Sequence, residues 1–165
     1  MSEDQHYYFA YGSNMNPVRV EKRGLHTGSI TSGILEGYYL SFNKRSVVHS
    51  GAASANIIQQ TSQASIPRRV EGVVYQLEDE HQIELMDPFE GYPVRYDRIL
   101  VNVQTLEGEK SVWTYTANAE YIQEGLLPNR WYLDHLLAGK PYLSEKYYQE
   151  LRSTICLPHS DFEPS

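Results

Sequence analysis

The sequence predicts an α+β fold with a mostly antiparallel or mixed sheet. The order of its elements supports this class: several strand patterns come first, a β-hairpin follows one helical segment, and two helical patterns come last. Strands and helices are therefore segregated along the chain, whereas a doubly wound parallel sheet requires them to alternate. The 165 residues suffice for one domain with its own core. With no repeat or linker to divide them, we expect residues 1–165 to form a single domain.

The first half of the chain carries most of the strand patterns. Residues 6–11 (HYYFAY) predict the first strand, which Gly, Ser and Asn at 12–14 interrupt. Pro17 favours a short helix, because proline is well tolerated in a first helical turn. A second strand region is expected within residues 29–43 and a third, short one at 55–59, with a small and polar loop between them.

The middle of the chain carries a strand, a helix and a hairpin. Residues 70–77 (VEGVVYQL) predict a strand after a polar surface loop. Apolar residues near helical spacing within 78–86 predict an amphipathic helix. Pro88 is expected to end it, because the residue before a proline disfavours helical geometry. Residues 96–106 and 110–117 flank a Glu-Gly-Glu turn and predict a β-hairpin.

Two helices are expected in the last part of the chain. The first covers residues 129–138 and stops before a glycine, and the second covers 144–153 with Ser144 as its N-cap. Residues 1–5 and 157–165 are expected to be flexible tails.

Composition and charge exclude several classes of protein. The chain has 14 Lys and Arg against 21 Asp and Glu, a net charge of -7, so we expect no binding to nucleic acid. Its adjacent basic pairs are isolated and are interpreted as solvated: Lys22 with Arg23, Lys44 with Arg45, and Arg68 with Arg69. No apolar stretch approaches the roughly 20 residues of a membrane span, and the acidic, polar start differs from a signal peptide. We therefore expect a cytoplasmic protein without membrane contact.

The segment YFAYGSNM at residues 8–15 is the first candidate site. A strand that ends in Gly12, Ser13 and Asn14 presents successive backbone N–H groups, and the glycine permits close approach by a ligand. Such a turn can hold a carboxylate or a developing oxyanion. The alternative is an ordinary turn, since these residues are common in turns. A phosphate loop is excluded, because Walker and G-x-G-x-x-G spacings are both missing.

Glu90, within the segment DPFEGYPVRY, is the second candidate. Phe89, Tyr92 and Tyr96 surround it in sequence, and an aromatic pocket would raise the pKa of its carboxyl toward the range of a general base. The alternative is a solvated loop glutamate, which is the commoner state of this residue type. Asp87 is interpreted as a polar group that closes the preceding helix.

Other reactive residues form no recognisable site. The six histidines are scattered, without the short spacing of a metal pair on one element, so no metal site is expected. A single cysteine excludes an internal disulfide. Cys156 and His159 lie near the expected tail, which disfavours a nucleophilic pair. The 14 tyrosines, against 4 Phe and 2 Trp, suit strands and the walls of a polar pocket.

Several segments, taken in order, resemble the γ-glutamylcyclotransferases and the wider AIG2-like superfamily. They are YFAYGSNM, GYYLSFNKRS at 37–46, ANI at 55–57, VEGVVYQL, MDPFEGYPVRYDR at 86–98 and PNRWYLDHLLAG at 128–139. The resemblance covers the chain from Tyr8 to about Leu151. It implies a small mixed β-barrel with surrounding helices.

The resemblance also implies a reaction that cleaves a γ-glutamyl bond without water. The α-amine of the substrate attacks its own γ-carbonyl, which gives 5-oxoproline and a free amino acid or amine. Glu90 is implied to be the catalytic glutamate, first base and then acid, with Asn14, Asn56 and Tyr132 contributing to the site. The loop implied to hold the γ-glutamyl group comprises Tyr8, Phe9, Ala10, Tyr11, Gly12 and Ser13. No metal or organic cofactor is implied.

Several alternatives stay open at this point. The start of the chain resembles the branch that acts on γ-glutamyl amino acids, whereas DPFEGYPVRY, with Pro93 before Tyr96, resembles the γ-glutamylamine branch. The branch specific for glutathione has a different motif layout. A biosynthetic enzyme that removes a γ-glutamyl protecting group and a non-catalytic γ-glutamyl-binding module are further alternatives. The sequence also leaves open whether the partner is a small-molecule substrate alone or includes a second copy in a homodimer.

Overall fold

Seven strands and four α-helices are found in the part of the chain that the structure, a computed structural model, describes: residues 6–164. The strands are β1 (His6–Ala10), β2 (Ile30–Glu36), β3 (Tyr38–Arg45), β4 (Ala53–Gln59), β5 (Arg69–Leu77), β6 (Tyr96–Thr105) and β7 (Gly108–Ala117). The helices are α1 (Pro17–Lys22), α2 (Asp87–Glu90), α3 (Arg130–Leu137) and α4 (Glu145–Arg152). Short 3₁₀ turns occur at Ser13–Met15, Gln82–Leu85, Ala119–Tyr121 and Lys140–Tyr142.

Five of these strands close into a barrel in the order β1–β5–β2–β6–β7. Its β1–β5, β5–β2, β2–β6 and β6–β7 pairs are antiparallel. β1 and β7 run parallel, with Tyr8 opposite Trp113, and their pairing closes the barrel. β3 and β4 form a separate two-stranded antiparallel sheet. The mixed barrel with its helices confirms the predicted α+β class.

β1 is buried on both of its faces. Tyr8 and Ala10 belong to one core cluster, which includes Leu133 of α3. Tyr7 and Phe9 belong to a second core cluster. This alternation follows the two-residue period of a strand. The packing on both sides fixes the position from which β1 leads into the following turn.

Two opposed glycines make room for the ring of Phe9. Gly33 of β2 and Gly72 of β5 are partners across the sheet. A Cβ at Gly33 would lie 3.3 Å from Cε1 of Phe9. A Cβ at Gly72 would lie 2.8 Å from the same atom and would overlap the carbonyl oxygen of Ala10. The close approach of β1 to β5 therefore requires glycine at position 72.

Most predicted strands occur close to their expected positions. The hairpin is confirmed, with β6 paired to β7 from Tyr96 opposite Ala117 to Thr105 opposite Gly108. The region expected within residues 29–43 differs, because it consists of two strands, β2 and β3. Gly37 separates them with a φ of 82°, a left-handed conformation that favours glycine.

The helix predicted at residues 78–86 is wrong. The 3₁₀ turn Gln82–Leu85 is the helical part of that segment, and α2 begins at Asp87. Pro88 lies in the first turn of α2, where its missing N–H and fixed φ are tolerated. The proline therefore marks the start of a helix and not an end. Gly91, with a φ of 71°, ends α2 directly after Glu90.

Asp87 opens α2, so the prediction that it closes a helix is also wrong. Its carboxylate forms an ion pair with Nη1 of Arg98 at 2.6 Å. It also accepts a hydrogen bond from the hydroxyl of Tyr115 at 2.7 Å. These contacts attach the short helix to the β6–β7 hairpin, and Glu90 lies three residues further along the same helix.

The two C-terminal helices occur as predicted. Ser144 is the N-cap of α4, and its side chain accepts a hydrogen bond from the backbone N–H of Tyr147. Such a cap satisfies one of the N–H groups that a helix start leaves unpaired. Within residues 6–164, no helix is both long enough and apolar enough to cross a membrane.

The segment after Leu157, expected to be flexible, makes defined hydrogen bonds in the structure. The N–H of Leu157 donates to the carbonyl of Pro128, and the N–H of Trp131 donates to the carbonyl of Ser160, both at 2.9 Å. The segment thereby supplies partners to the start of α3. The tail expected at residues 1–5 lies outside the described residues.

Candidate active site

A cavity of about 240 Å³ lies at the end of β1. Its wall is formed by the turn after β1, by α1 and α2, by the end of β3 and by α3. Glu90 is the one carboxylate among the described residues that line it. The polar and aromatic residues of the wall include Tyr8, Tyr11, Gly12, Ser13, Asn14, Arg19, Arg23, Lys44, Arg95, Tyr96 and Tyr132.

Asn14 connects the turn after β1 to Glu90. Its Nδ2 donates to Oε1 of Glu90 at 3.2 Å and to the hydroxyl of Tyr8 at 2.9 Å. Its Oδ1 accepts a hydrogen bond from Nη1 of Arg23 at 3.0 Å. Its backbone carbonyl accepts one from the hydroxyl of Tyr75 at 2.6 Å. Asn14 is held at both its side chain and its backbone, so it fixes the direction of the Glu90 carboxylate.

Burial raises the pKa of Glu90 above the ordinary value of a glutamate. Nearby cations act in the opposite direction, with Arg23 the strongest and Lys44 next, but burial outweighs them. The residue is half-buried at the end of α2, so the alternative of a solvated loop glutamate does not describe it. A carboxylate whose pKa is raised toward neutrality is a better proton acceptor in the pH range where enzymes work.

Buried tyrosine hydroxyls form a second part of the wall. The hydroxyl of Tyr132 accepts a hydrogen bond from the N–H of Ala55 at 2.9 Å, and that of Tyr96 donates to the carbonyl of Ala55 at 2.7 Å. Burial raises the pKa of Tyr132 to about 12 and those of Tyr8 and Tyr11 well above their usual value. The phenols therefore stay protonated near neutral pH and cannot act as bases.

The turn after β1 passes close to Tyr132. Within the turn, the N–H of Met15 donates to the carbonyl of Gly12 at 2.9 Å, and the N–H of Asn16 donates to the carbonyl of Ser13 at 3.3 Å. The N–H groups at the start of a helical turn have no partner within it, and both Gly12 and Ser13 line the cavity. A Cβ at Gly12 would lie 3.2 Å from the Tyr132 hydroxyl oxygen, so a larger residue would crowd the wall.

The structure brings most of the predicted site residues together around one cavity. The predicted residues that line it are Tyr8, Phe9, Tyr11, Gly12, Ser13, Asn14, Glu90 and Tyr132. Ala10 and Asn56, the other two predicted site residues, are not part of its wall. Ala10 is 2% exposed, because its methyl group packs inside the core cluster that contains Leu133.

Asn56 braces β4 against its neighbours. It is 1% exposed, and its Oδ1 accepts a hydrogen bond from the N–H of Ala117 at 2.8 Å. Its Nδ2 donates to Oδ1 of Asn43 at 3.1 Å. Both ends of the amide are therefore satisfied within the protein, which is the usual state of a buried polar side chain. Its contribution is to the fold that carries the site.

Replacement of Asn56 by alanine is expected to lower the free energy of unfolding by about 1–3 kcal/mol, because buried partners on two strands lose their hydrogen bonds. Chemical denaturation would measure the change. Asn102→Ala is the matched control, since Asn102 is exposed on β6, and it should change stability by less than about 0.5 kcal/mol. Equal unfolding midpoints for the two variants would contradict the bracing role.

Sequence reasoning missed the four cations of the wall, which are Arg19, Arg23, Lys44 and Arg95. Arg23 and Lys44 belong to basic pairs interpreted as solvated, and that interpretation is wrong for both. Lys44 is 4% exposed, and Arg23 donates to the buried Asn14. A lysine inside a strand pattern, directly after Phe42 and Asn43, was the available signal that the side chain is not on a solvated loop.

His49 is the one imidazole among the described residues that line the cavity. Its ring packs edge-on against Trp131 with the ring centroids 5.9 Å apart. Within the described residues, no group of three or more His, Cys, Asp or Glu side chains is placed to hold a metal ion.

The sequence matches a known family over residues 8–134, and that family is described as gamma-glutamyl cyclotransferase, AIG2-like. The matched part begins in β1, contains β2 to β7, and extends into α3. It therefore includes the turn after β1, the four cations of the wall and Glu90. No curated protein matches the chain.

Solved structures share the fold over nearly the whole chain. A structure named gamma-glutamyl cyclotransferase is 23% identical, with a TM-score of 0.76 over 95% of this chain and 92% of the other. The uncharacterized human protein loc79017 is 25% identical, with a TM-score of 0.77 over the same shares of 95% and 92%. A yeast gamma-glutamyl cyclotransferase specific to glutathione is 15% identical, with a TM-score of 0.66 over 90% of this chain and 94% of its own.

Proposed function

Because the chain belongs to the gamma-glutamyl cyclotransferase, AIG2-like family, we propose that it converts a γ-glutamyl compound into 5-oxoproline and a free amino acid or amine. Glu90 acts as the general base and then as the general acid. The observation that carries this proposal is the position of the Glu90 carboxylate. It is the one carboxylate among the described lining residues, it is oriented by Asn14, and burial raises its pKa.

The two protons that the attacking nitrogen loses are taken up by the leaving amine. The α-ammonium group of the substrate carries three protons, and the ring nitrogen of 5-oxoproline carries one. Glu90 removes the first proton, which frees the lone pair that attacks the γ-carbonyl carbon. It then delivers a proton to the leaving nitrogen as the C–N bond breaks. Glu90, again a carboxylate, takes the second proton of the ring nitrogen and passes it to the released amine, which leaves as an ammonium ion at neutral pH.

Ring closure needs orientation more than it needs a strong catalyst group. The attacking amine and the carbonyl belong to the same molecule, and a bound near-attack conformer can supply roughly 7–11 kcal/mol of the barrier. A cavity of about 240 Å³ limits the conformers that a γ-glutamyl group can adopt. The Tyr11 and Tyr132 side chains line it on the side of the turn after β1, and we assign the γ-glutamyl group to that side.

The backbone of the turn after β1 suits the developing negative charge. Attack on the γ-carbonyl places charge on its oxygen, and preorganised backbone N–H groups stabilise such an oxyanion. Gly12 and Ser13 line the cavity together with Glu90. In this proposal their N–H groups bind the carbonyl oxygen, while Glu90 handles the protons.

A substrate panel tests the proposed function. The purified protein is incubated with γ-glutamyl dipeptides, γ-glutamyl-ε-lysine, γ-glutamylated amines and glutathione, and 5-oxoproline is measured by mass spectrometry. Release of 5-oxoproline from at least one compound, together with one equivalent of amine, is the expected result. If no compound released 5-oxoproline but calorimetry detected binding, the proposed enzyme activity would be wrong and the protein would be a γ-glutamyl-binding protein.

The pH dependence of kcat/KM is expected to reflect the raised pKa of Glu90. Glu90 must be ionised to accept a proton, so activity falls as the pH drops through its pKa. Since burial raises that pKa, the acid limb should lie at higher pH than the value near 4.3 of an ordinary glutamate. A limb at or below the ordinary value would contradict the burial effect.

Asn14→Ala is expected to move that acid limb to still higher pH. Asn14 donates to the Glu90 carboxylate, and a hydrogen bond to the charged form lowers a pKa. Its loss therefore favours the protonated carboxyl. Thermal unfolding of the variant separates this effect from a loss of fold. An unchanged limb in a folded variant would show that Asn14 does not position Glu90.

A further inference from the structure

Arg98 lies outside the cavity wall and contacts the chain on both sides of Glu90. Its Nη1 forms an ion pair with Oδ2 of Asp87 at 2.6 Å, and Asp87 precedes Glu90 by three residues. The Cζ atom of Arg98 lies 4.7 Å from the ring centroid of Tyr92, which follows Glu90 by two residues. The two contacts therefore enclose the single helical turn that carries Glu90.

The β6–β7 hairpin fixes the position of Arg98 itself. Arg98 is opposite Tyr115 in the strand register, and the Tyr115 hydroxyl donates to Oδ1 of Asp87 at 2.7 Å. Both oxygens of this carboxylate are thus bound by one cross-strand pair. The ring centroid of Trp113 lies 4.8 Å from Cζ of Arg98, and a guanidinium is attracted to aromatic faces. The side chains of Arg98 and Asp87 are each 16% exposed, so salt screens their ion pair less than a pair on the surface.

α2 is too short to hold Glu90 in place by itself. It has four residues, and isolated helices shorter than about 12–15 residues are marginal in water. Gly91 ends α2 in a left-handed conformation directly after Glu90. The position of the Glu90 carboxylate therefore depends on the tertiary contacts of α2. Arg98 contributes such contacts at both of its ends, through Asp87 and through Tyr92.

On the basis of the proposed function, we propose that Arg98 is a positioning residue of the general base, because it holds α2 where the Glu90 carboxylate meets Asn14. Arg98 does not line the cavity, so it acts on the reaction through Asp87 and Tyr92 and not through the substrate. Asn14 directs the carboxylate from the turn after β1, whereas Arg98 fixes the backbone that carries it. The loss of either residue is expected to slow the proton transfers, but by different physical routes.

Arg98→Gln is expected to reduce kcat by about 10²-fold, since a displacement of about 1 Å at a reacting group can have an effect of that size. KM should change by less than about 3-fold, because Arg98 is not among the residues that line the cavity. Arg98→Lys should recover part of the rate, because its ammonium can pair with Asp87 but cannot stack on the rings as the planar guanidinium does. Asp87→Asn should lower kcat about as much as Arg98→Gln, and the double variant little more, since both residues act through one contact.

The titration of Glu90 gives a readout that does not depend on turnover. NMR of protein made with isotope-labelled glutamate follows its carboxyl group, which is assigned by comparison with Glu90→Gln. Burial is the largest effect on the pKa of Glu90 and raises it. The cations that lower this pKa to a smaller extent are Arg23, Lys44, Arg19 and Arg95. The buried tyrosines of the wall stay protonated in this range.

Release of α2 would weaken all of these effects together, so the pKa of Glu90 should fall toward the value near 4.3 of an ordinary glutamate. Arg98→Gln is therefore expected to move the NMR titration and the acid limb of kcat/KM to lower pH. This is the opposite of the shift expected for Asn14→Ala. The loss of a positive charge alone would raise the pKa of a carboxyl, so the direction identifies a change of position.

Asn56→Ala is the control for lost stability, because Asn56 braces β4 and does not line the cavity. At a temperature where both variants are folded, only Arg98→Gln should change kcat and the titration of Glu90. An unchanged titration in folded Arg98→Gln, or an equal shift in Asn56→Ala, would overturn the positioning role. If Arg98→Gln does not fold, Arg98→Lys provides the test, with a smaller shift in the same direction expected and an unchanged titration overturning the role. Failure of the wild-type protein to release 5-oxoproline would overturn the proposed function, while the NMR titration would still test the position of Glu90.

Discussion

Glu90→Gln is expected to reduce 5-oxoproline release by about 10²–10⁴-fold, the usual contribution of general acid–base catalysis. Glutamine keeps the shape of the side chain and can still contact Asn14, but it cannot accept a proton. KM should change little, because the groups that bind the substrate remain. The measurement is steady-state kinetics on the best substrate of the panel, with circular dichroism to check the fold.

Glu84→Gln is a matched control for this experiment. Glu84 lies in the 3₁₀ turn that precedes α2, and its side chain is 60% exposed. The Glu84→Gln substitution removes the same charge nearby, at a residue that does not line the cavity. The rate of 5-oxoproline release should therefore stay within about 2-fold of wild type, as for most surface changes. If Glu90→Gln instead kept the wild-type rate, the base would be another group, and His49 would be the next residue to replace.

Gly72→Ala is expected to destabilise the protein by about 3 kcal/mol or more, at the upper end of the range for overpacked cores. The added methyl group would overlap the Ala10 carbonyl oxygen and lie 2.8 Å from the Phe9 ring. A backbone carbonyl cannot rotate away as a side chain can, so β1 itself has to move. Differential scanning calorimetry should show a melting temperature about 6–12 °C lower for a chain of this size.

Gly28→Ala provides the comparison for this prediction. A Cβ at Gly28 would meet Oε1 of Gln76 at 2.8 Å, which is the end of a flexible side chain. The side chain can turn aside at the expense of two exposed hydrogen bonds from Ser29, so the loss should stay below about 2 kcal/mol. If Gly72→Ala were no less stable than Gly28→Ala, the close approach of β1 to β5 would not depend on glycine.

The sequence was sufficient to predict the fold class and the hairpin, because these depend on local patterns. Alternation identified β5, the Glu-Gly-Glu turn identified β6 and β7, and Ser144 identified the start of α4. The segment before Glu90 could not be predicted in the same way. Pro88 is compatible with the end of one helix and with the first turn of another, and the contacts of Asp87 with Arg98 and Tyr115 select the second. Those partners are distant in sequence.

The parts of the candidate site that lie in continuous segments of sequence were predictable, and the contacts between distant segments were not. The resemblance pointed to the turn after β1 and to Glu90, and both line the same cavity in the structure. The resemblance also implied a site role for Asn56. Its side chain instead forms hydrogen bonds with Asn43 and Ala117 on other strands, and these partners cannot be read from neighbouring residues. The burial of Lys44 was not predicted, because an isolated basic pair does not show which of its side chains will be buried.

The parallel pairing of β1 with β7 has a consequence for the order of events during synthesis. Tyr8 lies opposite Trp113, and the Phe9 carbonyl accepts a hydrogen bond from Thr114, across more than a hundred residues of chain. Contacts so distant in sequence slow folding, because the long loop between them must first be ordered. A ribosome-bound chain therefore carries an incomplete cavity until β7 and then α3, which adds Tyr132 to the wall, have emerged, although the turn after β1 is made before both of them.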